Sequence, residues 1–174
     1  PLMAIAGFPV SGGEAGKTCF RLAKDDRPQT MHRHRRIVSG EIREGRCLLT
    51  GNGQPPRGVR RLARRLHEEH RLPVYVLVDN DPWGYYIYSV LKQGSINLAY
   101  ESARMAIPDA RYLGLRSKDF VECELPDSVQ IQLNDQDKKR ANQIKNYPWF
   151  EKKKAWQKEI DLMLKHGFKM EVES

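Results

Sequence analysis

The chain has 174 residues, enough to bury a core of its own, and carries 30 Lys and Arg against 22 Asp and Glu, a formal net charge of +8. Cys19, Cys47 and Cys123 are odd in number and far apart, which excludes a disulfide framework or a zinc knuckle and points to a reducing cytoplasm. The apolar start (1–10) is short, broken by Gly7 and Pro9 and without a basic leader, so neither a signal peptide nor a membrane span is expected, and the excess positive charge makes a phosphate polymer the first partner to consider.

The first 46 residues show no sustained period of 2 or 3.6. Ser11-Gly12-Gly13 punctuates them, and a basic cluster follows at His32, Arg33, His34, Arg35 and Arg36. They read as a poorly ordered or artefactual segment, separate from a domain over 47–174. Gly13 to Thr18 imitates the end of a phosphate-binding P-loop, but the motif needs glycine where Ser11 stands. No nucleotide site is expected there.

From Cys47 the pattern sharpens. Residues 47–50 make a short strand, closed by the turn formers Gly51-Asn52-Gly53. Pro55 and Pro56 delay the next helix, which runs to about His70 with Val59, Leu62, Ala63 and Leu66 on one stripe. Arg57, Arg61, Arg64 and Arg65 fall on another face. The apolar run 72–78 predicts a strand covered on both sides, as in a parallel sheet, and Pro82 opens a helix to about Lys92. A strand is expected over 110–115, and the period-2 alternation of 121–125 suggests another. Asn134 can cap a helix to about Lys145, a last helix over 150–165 buries Trp156, Ile160 and Met163, and Gly167 stops it before a strand at 168–172.

Chemistry concentrates at Asp79-Asn80-Asp81. Two carboxylates one residue apart, at the carboxyl end of a strand, can face one crevice while Asn80 points away. Such hard oxygen donors suit Mg²⁺, and a cation relieves their mutual repulsion. A capping aspartate before a helix is the plainer alternative. The glycine-rich loop 51–58 leads into a helix that offers Arg57 and Arg60 to a DNA backbone, although such loops are more often ordinary turns. Tyr85, Tyr86 and Tyr88 follow the acidic turn and read as packing aromatics before nucleophiles.

These segments resemble a known family. Residues 48–60, Leu-Leu-Thr-Gly-Asn-Gly-Gln-Pro-Pro-Arg-Gly-Val-Arg, look like the second-strand loop of the Toprim domain in the topoisomerase VI A subunit. Residues 76–84, ending Asp79-Asn80-Asp81-Pro82-Trp83-Gly84, look like its D-x-D-P-x-G signature, shared with the protein that makes meiotic double-strand breaks. Gly94-Ser95, 112–115 and the series Trp156, Glu159, Gly167, Lys169, Met170, Glu171 fit as well. The resemblance implies an α/β, Toprim-like Rossmannoid fold, with a mostly parallel sheet flanked by helices and further C-terminal helices. It also implies the Toprim portion of an ATP-dependent type IIB DNA topoisomerase A subunit, with Mg²⁺ held by Asp79, Asp81 and a glutamate. Such a subunit pairs with itself on double-stranded DNA, works at the nucleoid and relies on a B subunit for ATP. The attacking tyrosine of the family lies in a domain N-terminal to the Toprim, and none fits before residue 47, so the chain alone is expected to be inactive. A non-catalytic DNA-binding or dimerisation fragment is the alternative. The first Toprim strand should end in the metal-binding glutamate, yet near residues 20–30 the chain reads Arg21-Leu22-Ala23-Lys24-Asp25-Asp26-Arg27-Pro28. Glu41 and Glu44 are the nearest glutamates, and neither ends an apolar strand. A frameshift, a mis-assigned start or a fusion would account for residues 1–46.

Overall fold

A computed structural model of the chain describes residues 4–5, 47–49, 54–95 and 99–172. The P-loop-like stretch, the basic cluster, Glu41, Glu44 and the Gly51-Asn52-Gly53 turn lie outside the described residues. The chain divides into two compact units, Pro1–Val76 with Val90–Tyr112, and Leu77–Ser89 with Leu113–Ser174.

In the first unit, β1 (Ala4–Ile5) runs antiparallel to β2 (Cys47–Leu48), so two residues of the segment expected to stand apart pair with the domain. Helix α1 (Arg57–His70) begins directly after Pro55-Pro56 and buries Leu62, Ala63 and Leu66 of the expected stripe, while Val59 stays partly exposed and Arg60 is buried. It ends where Arg71 turns left-handed at φ 55° and returns its N–H to the Leu66 carbonyl. Strand β3 (Tyr75–Val76) pairs in parallel with β4 (Arg111–Tyr112), in the register Tyr75↔Arg111 and Val76↔Tyr112. Between them α2 (Pro82–Gln93) forms as expected, its last turn falling in this unit, and α3 (Ala99–Met105) follows. Gly94, at φ 94°, lies so close to Ser102 that a Cβ would collide with it, which requires glycine at this turn.

The apolar run 72–78 behaves differently from expectation. Leu72, Val74, Val76, Val78 and Asn80 are buried, while Pro73 is exposed and Tyr75, Leu77 and Asp79 are partly so. One face is covered and the other is half open, which is the period-2 burial of a strand with a single packed side.

In the second unit, α4 (Asp119–Glu122) replaces the strand expected over 121–125. Alternation misled there because Val121 is 67% exposed and buries nothing, while the Asp119 carboxylate accepts the Arg116 N–H and fixes a helical turn. Strand β5 (Ile131–Gln132) then leads to α5 (Asp135–Lys145), which Asn134 caps as expected. The Asn134 side chain accepts the Asp137 N–H at 2.7 Å and Asp137 accepts the Asn134 N–H at 3.3 Å, a reciprocal capping box. The last expected helix is two, α6 (Pro148–Glu151) and α7 (Lys154–His166), the second stopped by Gly167 at φ 76°. Strand β6 (Phe168–Lys169) returns antiparallel to β5. The core of this unit is strongly aromatic. Tyr85, Tyr88, Trp149, Phe150 and Trp156 meet edge-on or tilted, with ring centres 4.8–6.4 Å apart.

The class is α/β with flanking helices. Among the described residues, parallel pairing is confined to β3 and β4, and the other two ladders are antiparallel.

Candidate functional site

The alternating burial that reaches Asn80 decides how the acidic turn is presented. Asn80 is 0% exposed, and its Oδ1 accepts the Tyr85 hydroxyl at 2.5 Å and the Ser117 hydroxyl at 3.3 Å. Its backbone exchanges hydrogen bonds with Met170, N to O at 2.9 Å and O from N at 3.2 Å. With Asn80 clamped inward, Asp79 and Asp81 on either side of it are each partly exposed.

Each carboxylate also has a structural partner. Asp79 Oδ1 accepts the Val172 N–H at 2.9 Å, which ties the turn to the chain beyond β6. Asp81 precedes the first residue of α2, and its Oδ1 accepts the Gly84 N–H at 2.5 Å. Capping and an acidic site therefore coexist in one residue, since Asp81 Oδ2 takes no hydrogen bond among the described residues. Gly84 is fixed by contact. A Cβ there would run into the Asp79 carbonyl oxygen and stand 3.1 Å from Asp81 Oδ1. This is a physical reason for glycine at the end of D-x-D-P-x-G.

Burial raises the Asp81 carboxyl above its ordinary range, and the like charges of Asp79 and Asp137 add to the shift. The Gly84 N–H and the Lys169 ammonium oppose it. Lys169 is itself held by the buried Asp137 carboxylate, Nζ to Oδ2 3.0 Å. The electrostatic role of Asp137 and Lys169 at the acidic turn was missed in the sequence, where Asp137 signalled only a helix start. The donor set fits a hard divalent cation, with two carboxylates flanking Asn80, an Asp81 oxygen without a hydrogen bond among the described residues and a desolvated acid that a cation would help to ionise. A third acidic ligand is not grouped with them among the described residues.

Arg57 and Arg60 belong to the first unit and differ from each other. Arg57 is exposed at the start of α1, 3.2 Å from the Glu101 carboxylate and 3.4 Å from the Tyr100 hydroxyl. Arg60, expected at a DNA surface, is 2% exposed and donates to the Val90 carbonyl at 3.4 Å. Its burial, three residues before Ala63 on α1, leaves it no solvent face to offer to DNA.

The three tyrosines after the acidic turn pack, as expected. The Tyr85 phenol is buried, which pushes its pKa far above the ordinary value, and Tyr88 lies against Trp149 and Trp156. Tyr86 faces the Arg140 guanidinium, 4.3 Å from its ring centre.

The chain is of the α/β class, with two aspartates flanking a buried asparagine before a helix and a glycine with no room for a side chain in that helix's first turn. Comparison with known proteins narrows it. Residues 34–174 match the family model for the Toprim domain of the topoisomerase 6 A-subunit/Spo11 proteins, a match that begins upstream of residue 47. The A subunit of type 2 DNA topoisomerase 6 from Aeropyrum pernix is 47% identical over 137 residues, 73% of this chain and 35% of its own length. The protein of the same name from Pyrococcus abyssi is 44% identical over 140 residues, 74% of this chain and 36% of its own. Meiotic recombination protein SPO11-1 of Oryza sativa subsp. indica is 38% identical over 131 residues, 74% of this chain and 34% of its own. The chain belongs to the topoisomerase 6 A-subunit/Spo11 family, through its Toprim domain. It spans about a third of the length of the curated relatives it matches. No helix among the described residues is long and apolar enough to cross a membrane.

Proposed function

We propose that the chain is the Toprim portion of an ATP-dependent type IIB topoisomerase A subunit, working on double-stranded DNA at the nucleoid. In this reading it pairs with a second copy of its own kind, and a B subunit binds and hydrolyses the ATP. The observation that supports it most is the acidic turn, where Asn80 is buried and hydrogen-bonded while Asp79 and Asp81 on either side of it stay partly exposed. Those two carboxylates would hold Mg²⁺, and a bound ion would supply Lewis-acid stabilisation of charge on a DNA phosphate. The residues of the chain do the rest. Asn80, Tyr85 and Ser117 fix the turn, the Gly84 N–H orients Asp81, and Lys169 balances the acidic charge. Arg57 contributes a DNA backbone contact.

A specific observation favours the second reading, a non-catalytic DNA-binding or dimerisation fragment, because no third metal ligand is grouped with the pair among the described residues. Calorimetric titration with Mg²⁺ and Mn²⁺, on the wild type and on Asp79→Asn/Asp81→Asn, separates the two. Binding by the wild type that disappears in the double variant supports the metal site. No binding by either leaves the scaffold reading.

A further inference from the structure

Immediately after the acidic turn, α2 turns an indole outward. Trp83 is 51% exposed, the largest aromatic side chain so placed among the described residues. It is nevertheless held in place. The Arg140 guanidinium lies 4.5 Å from the Trp83 ring centre, 4.3 Å from that of Tyr86 and 5.8 Å from that of Tyr147. Arg140 donates to the Tyr147 hydroxyl at 3.1 Å and reaches Gln143 at 3.5 Å, and Tyr86 meets Trp83 edge-on at 6.4 Å. Arg140 Nε is buried and makes no hydrogen bond, so the guanidinium is committed to its aromatic partners through its faces.

A half-exposed tryptophan forfeits apolar burial, and a guanidinium fixed against it loses hydration and side-chain entropy. Packing alone does not call for this arrangement. A flat ligand does. An indole backed by a rigid cation offers a stacking surface with positive charge directly behind it, and that combination suits a nucleobase whose neighbouring phosphate is drawn to the charge. Lys138 and Lys139 precede Arg140 on α5 and are both exposed, on other faces of that helix. Trp83 is two residues from Asp81, so the platform borders the carboxylate pair.

We infer that Trp83, backed by Arg140, is a stacking platform for an unpaired nucleobase next to the acidic turn. This deepens the DNA-binding reading and rests on it. The occupant is a base exposed at a strand end, a nick or a single-stranded segment, because a base inside a duplex keeps both faces covered by its neighbours.

The test measures binding of the whole chain, in Mg²⁺, to a single-stranded oligonucleotide carrying 2-aminopurine and to a duplex of the same length. Wild type is compared with Trp83→Ala, Trp83→Phe and Arg140→Lys. Trp83→Ala is expected to weaken single-strand binding by about 5- to 150-fold, the range for removing one base–aromatic stack. It should also abolish the quenching of 2-aminopurine. Duplex affinity and its salt dependence should stay unchanged, since no phosphate contact is lost. Trp83→Phe should restore part of the single-strand affinity, and Arg140→Lys, which keeps charge but loses the planar fork, should lose part of it. Unchanged single-strand binding in Trp83→Ala, or equal losses on single strand and duplex, overturns the platform and leaves the DNA reading standing. A wild-type chain that binds neither oligonucleotide overturns the DNA reading and the platform with it. A change from dimer to monomer in Trp83→Ala, read by sedimentation, would assign the indole to an interface between copies and also overturn the proposal.

Discussion

At the scale of single residues, the conflict at Asp81 is between stability and binding. Folding removes this carboxyl from water and places it beside Asp79, and both effects raise its pKa above the ordinary 3.8. The folded chain therefore holds a proton in the window above that value, where the unfolded chain has released it. More protons on the folded state means that stability falls as pH rises through the window, the opposite of the usual salt-bridged aspartate. Asn at this position keeps an oxygen for the Gly84 N–H and removes the charge. Asp81→Asn should then melt at a higher temperature than wild type at neutral pH, and the gap should close as pH falls toward 3.8. Mg²⁺ should raise the melting temperature of the wild type and not of the variant. Thermal melts across pH, with and without the ion, check both. A variant less stable than wild type at neutral pH would mean that the Asp81 charge is already compensated in the fold.

At the scale of elements, helix ends carry the second unit. Asn134 and Asp137 close the start of α5 on each other, and Asp137 reaches further to hold Lys169 on β6. Asn134→Ala removes only the cap and should cost about 1 kcal/mol. Asp137→Ala removes a cap partner and leaves a half-buried ammonium without its carboxylate, so it should cost more, toward ~3 kcal/mol. Urea denaturation of both variants measures the difference, and equal costs would mean that the Lys169 pair adds nothing. The cap at Asn134 was legible in the sequence because it is a local device with a local signature. So were α1 and α2, fixed by prolines and an apolar stripe or a proline first turn. Helix α3 was not legible, since only Met105 is buried in it and no stripe marks it. Residues 121–125 misled because alternation says nothing when neither face meets a core. The inward direction of Asn80 was legible as strand alternation. Its hydroxyl partners were not, because Ser117 lies 37 residues away and only folding brings it near.

At the scale of the whole chain, the proposed reading implies that this chain by itself leaves DNA uncut. Covalent cleavage needs a nucleophile that a phosphate can reach, and all seven tyrosines fall among the described residues. Tyr85 is buried with its phenol pushed toward the neutral form, and Tyr88 is enclosed by Trp149 and Trp156. Tyr86 and Tyr147 serve the Arg140 stack, and Tyr75 lies under the Arg111 guanidinium at 5.9 Å. Tyr112 sits in the β3–β4 ladder opposite Val76 and is only partly exposed. Tyr100 differs from these. It is 74% exposed, and its hydroxyl takes a hydrogen bond from Arg57, a cation that could steady a phenolate. Exposure and one cation are less than activation requires, because no base is paired with that hydroxyl among the described residues to take its proton. Supercoiled DNA incubated with the chain and Mg²⁺, then denatured with detergent, should therefore yield no protein-linked ends. If linked ends do appear, Tyr100→Phe decides their origin, since their loss in that variant would make this exposed phenol the nucleophile and end the expectation that the chain is inactive alone.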